Sequence, residues 1–250
     1  MTSAMPCNPS APLRGLSSMA TRRVLAELVR AWHDAGGAPV AIESVGGVEA
    51  ERRVAAGEPC DVVILAADAI ERLLQGGHVL AGSRVDLVRS PVAVAVPAGA
   101  PRPALGSAAA VRAAVLAARR LGVSTGPSGR ALQALFEQWG LGAHVRERLV
   151  VPPPGVPVAR LLAAGEIDLG FQQLSELIHE PGVQVVGTLP PEIAIVTTFS
   201  SAIGAGSARA AAARALLAFM AAPAADEAKR REGMEPARLA PRPSDAAPPA

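Results

Sequence analysis

Short runs of β-branched and apolar residues alternate with segments of helical periodicity along much of this 250-residue chain. Three strand candidates come first, each followed by a helix candidate, and they span residues 13–16, 39–45 and 61–65. Two strands joined through a helix form a parallel pair, because the helical crossover returns the chain to the same end of the sheet. The alternation therefore predicts an α/β fold whose sheet is covered by helices on both faces.

Two long extended segments interrupt this alternation. Residues 87–96 form a strand candidate that is too long for one sheet, with Pro91 in its middle, where proline removes a backbone donor. Residues 188–198 form the second segment, and the β-α alternation resumes between the two. We therefore predict two doubly wound β-α lobes joined by two crossing strands. Lobe 1 comprises 11–90 and 191–236, lobe 2 comprises 91–190, and residues 237–250 are predicted to form a disordered tail.

Composition argues against several classes of function. The formal net charge is only +2, and aromatic residues make up 2% of the chain with no tyrosine, so no nucleic-acid partner is expected. No apolar stretch reaches the roughly 18 residues that a membrane span needs. Cys7 and Cys60 make no disulfide framework, and no set of His, Cys and carboxylate residues has metal-ligand spacing. Neither a metal nor a cofactor is therefore expected.

The N-terminal residues bear on where the protein works. Residues 1–12 lack the basic start and the apolar core of a secretory signal. Taken as given, the chain is expected in the cytoplasm. A misassigned start codon or a trimmed precursor would instead make it periplasmic, and both possibilities stay open at this point.

Four strand-to-helix turns are expected to meet in the cleft between the two lobes. They are Ser17-Ser18, Gly46-Gly47, Ala66 to Asp68, and Thr125 to Arg130, the last of which contains Ser128 and Gly129. Free backbone N–H groups and the helix dipole make such turns attractive to anions. Each turn alone is equally well explained as a helix cap or a tight turn. Their coincidence at strand ends predicts a binding site for a small anion.

One carboxylate, Glu49, is placed where it could transfer a proton. It follows the Gly46-Gly47 turn at the start of a predicted helix. A base at that position could act on a ligand in the cleft. An acidic residue in a first helical turn is also explained by the helix dipole alone, and the sequence leaves both interpretations open.

Three segments in chain order carry a resemblance to a known family: residues 16–19, 44–47 and 56–68. The last is the most specific, because an AG-x-P-x-D turn runs into a strand that ends in Ala-Ala-Asp. This pattern resembles the type II periplasmic binding proteins, most closely their molybdate-binding branch, and the similarity extends over about residues 13–237. The resemblance implies ligand contacts at Ser18, Ala66 and Ser128, and a backbone donor at Val156.

The chain departs from that family at two ligand positions. Val48 or Glu49 stands where the family has a second serine, and Gln173 replaces a tyrosine. The loss of two hydroxyl donors weighs against tetrahedral molybdate as the ligand. A small organic acid is the alternative, because arginine pairs with carboxylates through two parallel hydrogen bonds. The side chains expected to make such contacts are Arg89, Arg130, Gln172 and Gln173.

Two functions from different classes follow from these observations. In the first, the lobes close by hinge motion around a small anion, either an oxyanion such as molybdate or a di- or tricarboxylate. The resemblance then implies the substrate-binding component of an ABC transporter, with a membrane permease as its partner if it is exported. The second function comes from the resemblance, because some proteins similar to this family are isomerases of unsaturated tricarboxylates such as aconitate. It would use Glu49 as base and Ser17, Ser18 and Ser128 as donors. An intracellular ligand sensor ranks last, and a monomer is expected in each case.

Overall fold

The first three strands lie side by side in parallel. The computed structural model describes residues 11–153 and 155–238. The first elements are β1 (Leu13–Ser18), α1 (Arg22–Asp34), β2 (Val40–Val45), α2 (Gly47–Ala55), β3 (Val62–Ala66) and α3 (Ala67–Gln75). β1 pairs in parallel with both β2 and β3. The predicted β-α alternation is confirmed over this part of the chain.

The next strand, β4 (Val85–Pro97), changes its partners halfway along. Its first half, up to Pro91, pairs antiparallel with β9 (Val196–Ile203). From Val92 onward it pairs antiparallel with β7 (Leu169–Gln173) and β8 (Val183–Thr188). Proline has no N–H to donate to a ladder, and Pro91 stands where one set of partners gives way to the other.

The chain returns beside the middle of β4. Leu189 N–H donates to the Val92 carbonyl at 3.2 Å, and Val92 N–H donates to the Ile195 carbonyl at 2.8 Å. Segment 189–195 therefore crosses back next to the outgoing strand. We use "first lobe" for the sheet β2-β1-β3-β9 with the first half of β4, and "second lobe" for the sheet that contains its other half.

The second lobe repeats the β-α pattern, and α8, α9 and β10 then complete the first. The further elements of the second lobe are α4 (Ala108–Ala117), β5 (Leu121–Val123), α5 (Pro127–Gln138), α6 (Gly142–Arg146), β6 (Leu149–Val150) and α7 (Val158–Ala163). The elements that complete the first lobe are α8 (Ala210–Ala221), α9 (Asp226–Arg231) and β10 (Glu235–Pro236). β5 pairs in parallel with β6 and β7, and β10 pairs with β4. None of the described helices combines the length and the apolar character that crossing a bilayer takes.

Buried apolar side chains fill both faces of each sheet. In the first lobe, Ile64 of β3 points into the cluster beneath α1 and α8, and its neighbour Leu65 points into the cluster beneath α2 and α3. In the second lobe, Val94 of β4 packs with residues of α4 and α5, and Ala95 packs with residues of α7. Successive strand residues face opposite sides, so an all-apolar strand is what a doubly covered sheet requires.

The structure corrects the sequence prediction at several points. The sheets are mixed, not all parallel, because β4, β8 and β9 enter them antiparallel. The helix expected from Leu174 is a single 3₁₀ turn, Leu174–Glu176, which ends at Leu177. β8 was missed. Of the predicted tail, residues 239–250 lie outside the described residues, whereas Ala237 N–H donates to the Leu87 carbonyl.

Candidate functional site

A cavity of about 380 Å³ opens where the first and second lobes face each other. Its lining residues are drawn from segments 18–20, 46–51, 65–72, 124–130, 155–157, 172–176 and 197–199. Two hydrogen bonds join the lobes at its edge: Ser175 Oγ donates to the Ala20 carbonyl at 2.9 Å, and Gln173 Nε2 donates to Thr197 Oγ1 at 2.8 Å. We call this space the cleft cavity.

The first lobe presents the Ser18 hydroxyl and two helix starts to the cleft cavity. Ser18 ends β1, and its Oγ accepts the Ala20 N–H at 3.4 Å, so its O–H can still donate to a ligand. The first backbone hydrogen bond of α2 runs from Ala50 N–H to the Gly46 carbonyl. The N–H groups before it have no acceptor within the helix. Ala66 caps α3 in the same way, with no capping side chain.

The second lobe contributes the start of α5. Pro127 opens this helix, and Ser128 Oγ lies 3.2 Å from Ser124 Oγ. Arg130 follows in the first turn, exposed to solvent and lining the cleft cavity. A cation there is opposed by the helix dipole. No described carboxylate lies within 4.0 Å of its guanidinium, so this charge is available to a ligand.

Two buried glutamines end β7 at the wall of the cleft cavity. Gln172 Oε1 accepts the Ala159 N–H at 3.2 Å, which anchors the amide, and this amide lowers the pKa of the nearby Glu176 carboxyl. Gln173 donates to Thr197, and its Oε1 has no partner among the described residues. A ligand in the cavity can supply the missing hydrogen-bond donor for such a buried oxygen.

Three glutamates line the cleft cavity, and two of them are paired with arginines. Glu49 accepts two hydrogen bonds from Arg52, at 2.7 and 2.9 Å, and this pairing lowers the pKa of its carboxyl. Glu51 is bound in the same bidentate way by Arg72. A carboxylate held by a guanidinium is a weak proton acceptor. This pairing favours the interpretation in which Glu49 stabilises the first turn of α2 over the one in which it is a general base.

Glu176 differs from both, because no described cation lies within 4.0 Å of its carboxyl. Burial raises its pKa to about 7, and the hydrogen bond from Gln172 and the charge of Arg22 only partly offset that effect. Water stabilises the charged form of a carboxyl, and burial removes that stabilisation. Glu176 therefore changes its charge near neutral pH.

This titration makes stability depend on pH. The folded protein binds the Glu176 proton more tightly than the unfolded chain, where the pKa is near 4.5. The stabilisation is therefore complete below about pH 4.5 and is lost as the pH rises through about 7. Because the side chain is open to the cavity, we expect a loss of about 1–2 kcal/mol between pH 5 and pH 8.

Urea unfolding at both pH values, with Glu176→Gln as the reference, measures this loss. Glutamine has no proton to release, so the variant should lose about 1–2 kcal/mol less than the wild type over the same interval. All other ionisable groups are the same in the two proteins, so their contribution cancels in the difference. Identical pH dependence in the two proteins would contradict the prediction.

Two residues predicted to bind the ligand lie away from the cleft cavity. Ser17 is fully buried, and its hydroxyl shares a 2.7 Å hydrogen bond with Ser44. Side chains alternate along β1, so Ser17 and Ser18 point to opposite faces. Arg89 is exposed on β4, between Glu235 of β10 and Thr198 of β9, and does not line the cavity.

The structure places two other predicted contacts differently from the expectation. Gly129 is buried within α5 and does not line the cavity; a Cβ there would lie 1.7 Å from the Ser124 carbonyl oxygen, so its role is close packing. Val156 does line the cavity, but its N–H already donates to the Pro153 carbonyl at 3.0 Å. The remaining predicted residues line the cavity: Ser18, Gly46, Gly47, Glu49, Ala66, Ser128, Arg130, Gln172 and Gln173.

Two residues that line the cleft cavity, Glu176 and Thr197, were not predicted from the sequence. Glu176 lies three residues beyond the end of β7, so the strand-end rule that selected the other turns would have found it. The sequence pattern predicts a helix from Leu174 in this region instead. Thr197 comes from the crossing strand β9 and carries no local signal. Among the described residues, no group of three or more His, Cys, Asp or Glu side chains has the arrangement of a metal site.

Comparison with known proteins identifies the family. The family model described as bacterial extracellular solute-binding protein matches residues 13–235. An aconitate isomerase from Pseudomonas sp. is 34% identical over 243 residues, which cover 94% of this chain and 92% of that protein.

Solved structures agree on the fold. The periplasmic molybdate-binding protein of Azotobacter vinelandii superposes with a TM-score of 0.74 at 22% identity, covering 92% of this chain and all of that one. The sulfate-binding protein SubI of Mycobacterium tuberculosis H37Rv gives 0.73 at 18% identity, covering 90% and 87%. The resemblance to type II periplasmic binding proteins is confirmed, and this chain belongs to the family of bacterial extracellular solute-binding proteins.

Proposed function

We propose that the cleft cavity binds a small anion with two or three carboxylate groups. The observation that carries this proposal is Arg130, an arginine without a described acidic partner in the first turn of α5. The helix dipole opposes a cation at this position, so the fold gives no reason for it. A carboxylate ligand gives one, because a guanidinium binds a carboxylate through two parallel hydrogen bonds. Ser18, Ser128 and the free N–H groups of α2 supply further donors.

The size and lining of the cavity favour a carboxylate over a tetrahedral oxyanion. A volume of about 380 Å³ falls in the range of sites for organic molecules and exceeds what one central atom with four oxygens needs. The wall is also partly apolar, with Leu65, Val48 and Phe199 facing the space. A carbon skeleton that carries several carboxylates matches both the apolar wall and the separated donors.

As a member of its family, the protein would act as a solute receptor that closes on its ligand and delivers it to a membrane permease. This role needs a location outside the cytoplasm, and that location is part of the proposal. The expected monomer stays a prediction; sedimentation of the ligand-bound protein tests it.

A second function, isomerisation of an unsaturated tricarboxylate, is favoured by two observations. The relative that is 34% identical is an aconitate isomerase and matches this chain over nearly its whole length. The cleft cavity also holds a carboxyl, Glu176, that exchanges its proton near neutral pH. Both functions share the same anion site, so binding is tested first.

Thermal unfolding with a panel of anions tests the binding proposal. Tricarballylate, trans-aconitate, citrate, molybdate and sulfate are each added at millimolar concentration. A ligand selective for the folded state stabilises it by about 2.7 kcal/mol at a hundred times its dissociation constant, and the melting temperature rises accordingly. We expect the tricarboxylates to raise it and sulfate to leave it unchanged. A shift with molybdate alone, or no shift at all, would refute a carboxylate ligand.

A further inference from the structure

We propose that Glu176 is the catalytic acid–base group of this protein and transfers a proton between two carbons of an unsaturated polycarboxylate bound in the cleft cavity. The inference rests on the proposed function, since it needs a carboxylate ligand in that space. Glu176 follows the second-lobe strand β7 and lines the cavity together with groups from both lobes. It is the cavity glutamate that no described arginine or lysine holds within 4.0 Å.

The surroundings of Glu176 suit a group that must both take and return a proton. The Gln172 amide, whose Oε1 accepts the Ala159 N–H at 3.2 Å, lowers the pKa of the Glu176 carboxyl. The charge of Arg22, at the start of α1, acts in the same direction. Burial opposes both effects and keeps the acid and base forms of Glu176 similar in free energy near pH 7, which is the optimum for proton transfer in both directions.

The other carboxylates of the cleft cavity are paired with arginines, and Arg130 carries a positive charge. Glu49 and Glu51 are paired with Arg52 and Arg72. Arg130, at the start of α5, is left to bind and stabilise negative charge on the ligand. The cavity thus separates one proton carrier from one anion-binding cation, which is the division of roles that abstraction of a proton next to a carboxylate requires.

The chemical step balances without a metal, a cofactor or a redox partner. The Glu176 carboxylate removes a proton from the methylene carbon next to the double bond, and the C–H electron pair spreads over the three-carbon allylic system. The now neutral carboxyl returns the proton to the far carbon of that system, so the double bond shifts by one position. The ligand keeps its composition and oxidation state, and Glu176 regains its charge.

The test uses the full chain and follows deuterium uptake by trans-aconitate in D₂O by NMR, together with cis–trans interconversion. Wild-type protein is expected to exchange the methylene protons, and Glu176→Gln to exchange them at least about 100-fold more slowly. Glu176→Asp keeps a carboxylate and should retain measurable exchange. The matched control is Glu180→Gln, which removes a nearby carboxylate outside the cavity lining and should behave like the wild type.

Binding of tricarballylate, the saturated analogue that cannot shift a double bond, separates the two proposals. All variants should be stabilised by it against heat if they are folded and the anion site is intact. Stabilisation of the wild type without any exchange would overturn the role of Glu176 and leave the binding function standing. Full exchange in Glu176→Gln would overturn it as well. Neither stabilisation nor exchange in the wild type would overturn both proposals.

Discussion

Replacing Gly129 with alanine is expected to lower the free energy of unfolding by about 2–4 kcal/mol. A Cβ at this position would lie 1.7 Å from the carbonyl oxygen of Ser124 and 3.2 Å from its backbone nitrogen. These are backbone atoms, so no side chain can rotate away, and the start of α5 must move. Because Ser128 and Arg130 belong to the same turn, ligand affinity should fall together with stability. Urea unfolding and calorimetric titration with tricarballylate measure the two effects.

Gly126 offers a matched control for stability three residues earlier. It caps α5 with φ of −80°, and a Cβ there would meet no atom within 4 Å. Gly126→Ala should therefore change the free energy of unfolding by less than about 1 kcal/mol. Equal losses in the two variants would show that the close approach of α5 to Ser124 is not what requires glycine at 129.

Arg130→Gln is expected to weaken tricarboxylate binding by roughly 10- to 100-fold and to leave the ligand-free protein equally or slightly more stable. A hydrogen bond to a charged group contributes about 1.5–3 kcal/mol, and the substitution removes such contacts with the ligand. In the ligand-free protein it removes a cation from the first turn of α5, where the helix dipole opposes positive charge by about 0.3–1 kcal/mol. The opposite signs of the two effects distinguish a binding residue from a structural one.

Two further variants make this result specific. Arg130→Lys keeps the charge but loses the planar pair of donors, so its affinity should lie between those of wild type and Arg130→Gln. Arg160→Gln removes an exposed arginine of α7 outside the cavity lining and should leave affinity unchanged. If Arg130→Gln bound as tightly as Arg160→Gln, Arg130 would not contact the ligand.

Much of the fold was predictable because it is encoded locally. The apolar run at 62–65 indicates a strand covered on both faces, and the long segment around Pro91 marks the passage between lobes. The strand-end turns at Ser18, Gly47 and Ser128 were predictable for the same reason, since strand ends of a β-α fold collect at one edge. The direction of β8 and β9 was not, because antiparallel pairing depends on partners far away in the chain.

The sequence by itself therefore determined the alternation of strands and helices, the two crossings and the set of turns that could hold an anion. Tertiary structure alone decided which side chains face the cleft cavity and which carboxylates are paired with arginines. Ser17 turned inward while Ser18 faced the cavity, and Glu49 was paired with Arg52. Glu176 stayed half-buried, with no arginine or lysine of the described residues within 4.0 Å. The reason is physical: strand periodicity is a property of neighbouring residues, whereas the charge and proton affinity of a carboxyl depend on what the fold brings next to it.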